Sequence, residues 1–148
     1  GSEMCIRDSA YIMKSVIAFM LLWIGANTDY NVQLPAPKII MLPHAELVEA
    51  FGNKSTNGGG TLKAFYKPSS DTIYLEDDFN IHDPWKKAIL FHELFHYVQD
   101  QNGFRPKCVQ EWERDVYPLQ KKYLLEVHGL DWEYDELWYK LISTCPTN

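Results

Sequence analysis

Basic residues are scarce and nowhere gathered: 14 Lys and Arg stand against 20 Asp and Glu in 148 residues, a formal net charge of −6. Without a Lys/Arg stripe the chain offers a phosphate backbone no footprint, so no nucleic-acid partner is expected. Internal repeats and low-complexity tracts are missing. The glycine triplet at 58–60 has no Lys-Ser/Thr after it, which removes the phosphate-loop reading and leaves 52–60 as a polar surface connection. What remains is 46% apolar and 14% aromatic, enough for one globular domain with its own core.

The chain also lacks a long apolar run. The best stretch, 16–24, is about half the roughly 20 residues a lone bilayer span requires. Met13 and Lys14 before it and Gly25 and Ala26 after it make it read as a secretory signal peptide, and no Cys follows to suggest a lipid anchor. Further upstream, residues 4–9 spell MCIRDS, which looks like a translated sequencing adapter joined to a metagenomic gene fragment. The expected organisation is therefore a leader over 1–26, adapter-like at 1–12 and signal peptide at 13–26, ahead of a single domain over 27–148. That organisation implies a secreted or periplasmic protein with no stable membrane anchor once the leader is removed; a buried N-terminal helix is the competing reading. Cysteine is scarce as well, three in all. Setting Cys5 aside with the leader leaves Cys108 and Cys145, which in an exported chain invite one disulfide, against the alternative of two free buried thiols.

Local signals divide the domain. Lys38–Leu42 reads as a short strand and 43–51 as a helix with Pro43 in its first turn. Residues 61–66 and 71–76 alternate apolar and polar around turn chemistry at 67–70, a probable hairpin by pattern. Asp83 caps a helix that Pro84 opens and that runs to about Gln101 before Gly103. A second long helix is expected over 108–127, closing at Gly129, with a kink or break at Pro118 because proline lacks the N–H that Arg114 would receive. Asp131 can cap a last helix over 132–142 with Leu137, Trp138, Leu141 and Ile142 facing inward.

The chemistry sits at His92, Glu93, Leu94, Phe95 and His96, the pattern His-Glu-x-x-His. On a helix, residues four apart share a face, so two imidazoles can grip one metal ion while Glu93 stays beside its open side. Zinc in a hydrolase takes three protein ligands and keeps a fourth place free, so a third ligand must come from downstream. Glu111, Glu113 and Asp115 are the candidates. His44 and His82 read as surface residues, and His128, beside Gly129 at a helix end, as a favourable place for a protonated imidazole.

At this point the chain resembles the gluzincin metallopeptidases, in which His-Glu-x-x-His is completed by a Glu on a following helix. Small members carry an Ile-Tyr-Leu-like strand before the motif helix, matched here by Ile73, Tyr74 and Leu75, and a Glu-x-x-Ala-Tyr-x-x-Gln pattern after it, matched by residues 113–120 with Val116 for Ala. The resemblance covers about residues 63–124. It nominates Glu113 as the third ligand, with Val116, Tyr117 and Gln120 on the same face beneath the metal; a second register would use Glu111 with Asp115. It implies an α+β fold, a zincin-like minimal metalloprotease core, mostly helical with a small hairpin before the motif helix.

The activity implied is zinc-dependent peptide-bond hydrolysis, with one Zn2+ per chain held by His92, His96 and Glu113, a metal-activated water, and Glu93 as general base. Tyr117, Tyr123 and His128 are candidate oxyanion donors. A peptide or protein substrate would pair along Thr72–Glu76 as an edge strand, with Tyr74 either lining the pocket or packing across the sheet. Trp85, Phe91, Phe95 and Tyr97 should pack the motif helix into the core. Two other readings stand beside this one: a catalytically silent zincin-like binding or inhibitory module, and a structural metal site. The carboxylate of Glu93 between two ligands argues for catalysis, because a purely structural site has no use for it.

Overall fold

The computed structural model describes residues 2–52 and 61–147; the expected loop at 52–60 falls outside them apart from Gly52. Among the described residues the chain forms helices α1 (Ser2–Asn27), α2 (His44–Phe51), α3 (Pro84–Gln101), α4 (Glu113–His128) and α5 (Glu136–Ser143). The strands are β1 (Lys38–Leu42), β2 (Ala64–Lys67) and β3 (Thr72–Glu76). The fold is α+β, mostly helical, with its small sheet ahead of the motif helix as expected.

α3 begins where its local chemistry says it should. The Asp83 carboxylate accepts the Trp85 N–H at 2.9 Å, Pro84 occupies the first turn, and Gly103, at φ 78°, turns the chain away after the last residue. Leu90, Phe91, Leu94, Phe95, Tyr97 and Val98 bury almost all of their surface, forming the centre of the core. Trp85 is the exception to the expected packing: it lies on the exposed first turn, 47% accessible.

The sheet order is β1-β3-β2, with β1 parallel and β2 antiparallel to β3. Thr72–Glu76 is therefore the central strand and not an edge. Its backbone groups are engaged on both sides, which rules out pairing of a peptide along it; the pairing with Lys38–Leu42, some thirty residues upstream, is what covers the side expected to be free. The edge nearest α3 is β2. Ile73 and Leu75 turn one face of β3 into the core, while on the other face Tyr74 stacks on its cross-strand partner Phe65, ring centroids 4.8 Å apart. Tyr74 thus packs across the sheet.

The helix expected to be a separable leader contributes to the core instead. Ile17, Met20, Leu21 and Ile24, spaced as one helical stripe, are buried, and Trp23 sits edge-on to both Phe91 and Tyr123 at 5.5 and 5.6 Å. Gly25 lets the chain double back: a Cβ there would lie 2.6 Å from Val32. The returning segment is clamped to α3 by reciprocal Asn31–Asn102 hydrogen bonds of 2.9 Å and by the Tyr97 hydroxyl on the Pro35 carbonyl.

Beyond α3 the expected long helix is a 3-10 turn, Val109–Trp112, followed by α4. α4 does not break at Pro118. The Arg114 carbonyl that loses its intrahelical partner receives the Tyr139 hydroxyl from α5. α5 starts four residues later than expected, capped by Asp135 through the Trp138 N–H at 2.8 Å. The skipped residues Trp132 and Tyr134 lie with their rings around Tyr117. Leu137 and Leu141, expected to face inward, are 68% and 69% exposed. Cys108 and Cys145 form the expected disulfide, Cα atoms 5.7 Å apart. It ties the 3-10 turn to the end of α5 and by loop-closure entropy stabilises the fold by about 4 kcal/mol.

Candidate metal centre

His92, Glu93 and His96 lie on the face of α3 that looks toward β2 and the start of α4, and Glu113 is the first residue of α4. The turn at Gly103 and the 3-10 turn bring Glu113 back over α3. Its Oε2 is 2.9 Å from His92 Nε2 and its Oε1 3.1 Å from His96 Nε2. The ligand atoms of these three residues all fall within 4.8 Å of one another. Glu111 does not join them: its carboxylate accepts the Lys107 N–H at 2.7 Å and faces Arg114 at 3.4 Å. Asp115 also faces Arg114, at 3.5 Å.

The outer nitrogens of both imidazoles are held by amides. His92 Nδ1 donates to Gln120 Oε1 at 2.9 Å and His96 Nδ1 to Gln99 Oε1 at 2.8 Å. An amide oxygen only accepts, so Nδ1 keeps its hydrogen and Nε2 is the nitrogen each ring turns to the common point, where it faces the Glu113 carboxylate. Gln120 lies where the helical register places it; Gln99 was missed, although its position three residues after His96 puts it on the same helical face.

The donor set fits a divalent cation of the zinc type on one further observation. Among the described residues Glu113 Oε2 is buried with no well-formed hydrogen bond, its polar neighbour being His92 Nε2 at 2.9 Å. A buried carboxylate oxygen without a hydrogen bond is costly unless a positive centre faces it. Two nitrogens and one carboxylate around one point are the ligand chemistry that suits zinc.

Electrostatics follow from the same crowding. Burial works against a charged His92, yet the adjoining Glu113 carboxylate, then the Glu93 charge and the Gln120 oxygen, raise it to about 9. Burial also opposes the Glu113 charge, but the two histidines hold its carboxyl well below the usual carboxylate range. Glu93 moves the other way: burial raises it against the lowering influence of His92 and His96, while the Tyr66 backbone bonds to its carboxylate. A carboxylate with raised proton affinity beside an open cleft is suited to accept a proton and give it back.

The cleft has a volume of about 360 Å³, walled by Phe65 and Tyr66 of β2 on one side and by Val109 and Trp112 of the 3-10 turn on the other. Past Glu113 a second groove of about 330 Å³ continues between Tyr117, Val109 and the α5 residues Trp138, Leu141 and Ile142. Tyr117 packs edge-on to His92 at 4.9 Å, and burial, then the charges of Glu113 and Glu93, raise its hydroxyl. The other two oxyanion candidates lie elsewhere. Tyr123 is stacked on Phe91 in the core at 4.6 Å, and His128 packs on Tyr123 with its Nε2 buried and without a partner. Burial and Lys87 lower the proton affinity of His128, the reverse of what a helix end alone would do. His44 and His82 are exposed, as expected.

No curated protein and no solved structure matches the chain. One family does, over residues 9–148, a span that takes in α1 from its eighth residue as well as the whole candidate centre. The chain belongs to the family described as Domain of unknown function (DUF6647).

Proposed function

We propose that this chain is an exported zinc-dependent metallopeptidase of the gluzincin kind. The observation that carries the reading is the convergence of His92, His96 and Glu113 with Glu93 beside them at an open cleft. The resident ion, when bound, supplies Lewis acidity toward the scissile carbonyl and the attacking water. The chain's own residues do the rest. Glu93 accepts the proton of the water and hands it to the leaving amine, and Gln99 and Gln120 keep the imidazoles in the tautomer that binds. The Cys108–Cys145 disulfide supports an oxidising compartment, secreted or periplasmic.

The substrate is an extended peptide or protein segment. It pairs with the edge of β2 that is unpaired among the described residues, next to Glu93, and lays apolar side chains into the two clefts on either side of Glu113. A peptide N-methylated at the amides facing β2 should then bind more weakly than its parent.

The test is metal content and cleavage of a mixed peptide library by the full chain. The unmutated chain should retain about one zinc and cleave beside bulky apolar residues. His92→Ala and Glu113→Ala should lose the metal, while Glu93→Gln should keep it and slow cleavage by at least about 10²-fold. No zinc after reloading would overturn the reading. Zinc with tight peptide binding and no cleavage would replace it with the silent binding module.

A further inference from the structure

Over residues 10–27, α1 is apolar on both its inner and its outer side. Ile17, Met20, Leu21 and Ile24 face the core, but the opposite side is apolar too: Tyr11, Ala18, Phe19, Leu22 and Ala26 are exposed, with Ser15 and a single charge, Lys14, among them. A surface helix of a globular protein puts charged residues on that side. The 18 residues Ala10–Asn27 have a mean hydropathy of 1.5. The inner stripe is committed to α3 and α4 through Trp23, Phe91 and Tyr123, so the helix cannot cross a bilayer while the domain is folded. It can lie along one.

The outward stripe exposes Tyr11 at 73%, Phe19 at 48% and Leu22 at 71%, three large side chains of one helix and well short of the roughly twenty residues a side that a stable pair uses. The charges beside the stripe favour a lipid surface over a second copy of the chain. Beside the stripe stand Lys14 and, in the groove against Phe19, Lys87. Neither is in an ion pair among the described residues, and lysines flanking an interfacial helix meet lipid phosphates.

We infer that α1 is retained as part of the folded domain and that its outward stripe, Tyr11, Phe19 and Leu22 with Lys14 and Lys87 beside it, rests on the headgroup layer of an anionic phospholipid bilayer. The family match begins at residue 9, ahead of the whole stripe. This departs from the expectation of a leader that is cut away.

The experiment is sedimentation of the full chain with phosphatidylcholine vesicles containing phosphatidylglycerol, beside the double variant Phe19→Glu, Leu22→Glu and the control Leu137→Glu on α5. The unmutated chain and the control should pellet with the vesicles, and the double variant should bind at least about tenfold more weakly. Its thermal unfolding should remain cooperative, because Leu22 is mostly and Phe19 half exposed. The intact mass of the exported chain should include residues 11–26. The inference is overturned if the unmutated chain stays in the supernatant, if the double variant binds equally well, or if the exported mass lacks that segment. None of these readouts involves hydrolysis, so the inference and the peptidase reading fail separately.

Discussion

Both histidines of the centre lean on amides where a carboxylate would also serve, and this keeps the charge around them low. Gln120→Leu removes the acceptor for His92 Nδ1 without adding bulk, and should lower metal affinity about 10- to 100-fold, read by competition with a chelating dye. Gln120→Glu restores an acceptor and should recover most of that loss; equal weakening of the two variants would mean that Gln120 only fills space. His128 makes a different prediction. Burial and Lys87 hold its proton affinity below the ordinary value of 6.5, so the unfolded chain binds that proton more readily than the fold does. The stability it contributes is present above about pH 6.5 and is lost as pH falls below it. His128→Gln has no proton to gain, so its melting temperature should drop less than that of the unmutated chain between about pH 7.5 and about pH 5.5. Identical drops would show that this imidazole is not buried against protonation.

At the scale of elements, α4 and α5 are joined by a defect. Pro118 leaves the Arg114 carbonyl without an intrahelical donor, and the Tyr139 hydroxyl supplies one. Tyr139→Phe should cost about 0.5–1.5 kcal/mol in urea denaturation, the net worth of one hydrogen bond whose carbonyl water can reach. Pro118→Ala gives the backbone its own N–H back, so Tyr139→Phe should cost clearly less in that background; an equal cost in both would break the link. The same elements show why reading the chain alone went astray. Asp131 and Asp135 are both good caps, and only the aromatic cluster on Tyr117, assembled from three segments, decides for the later one. β3 reads as a strand from Ile73 and Leu75, and so does β1 from its apolar run, but whether β3 is central or an edge depends on the pairing of the two, which no local pattern reports. α3, by contrast, was legible to the residue at both ends because Asp83, Pro84 and Gly103 act within their own turn. Among Glu111, Glu113 and Asp115 only the resemblance of residues 113–120 to the gluzincin pattern singled out Glu113, and the fold brings its carboxylate to both histidines.

For the molecule as a whole, the segment with two readings is α1. Its composition suits an export signal and a core helix equally, and in the fold Trp23 and Ile24 pack against residues distant in sequence. A chain starting at Asn27 would lose Ile17, Met20 and Ile24 together. At about 2–5 kcal/mol for each large core side chain removed, that is comparable to the whole stability of an ordinary domain. Such a chain should show no cooperative melt by circular dichroism; a sharp melt close to that of the full chain would mean that the core closes without the helix. Trp23 also imposes an order in time. Its seat is made by Phe91 and Tyr123, so the helix synthesised first waits for about a hundred further residues, on the order of five to twenty seconds at ordinary ribosome speed. Throughout that interval the growing chain carries an apolar rod with nowhere in its own fold to dock.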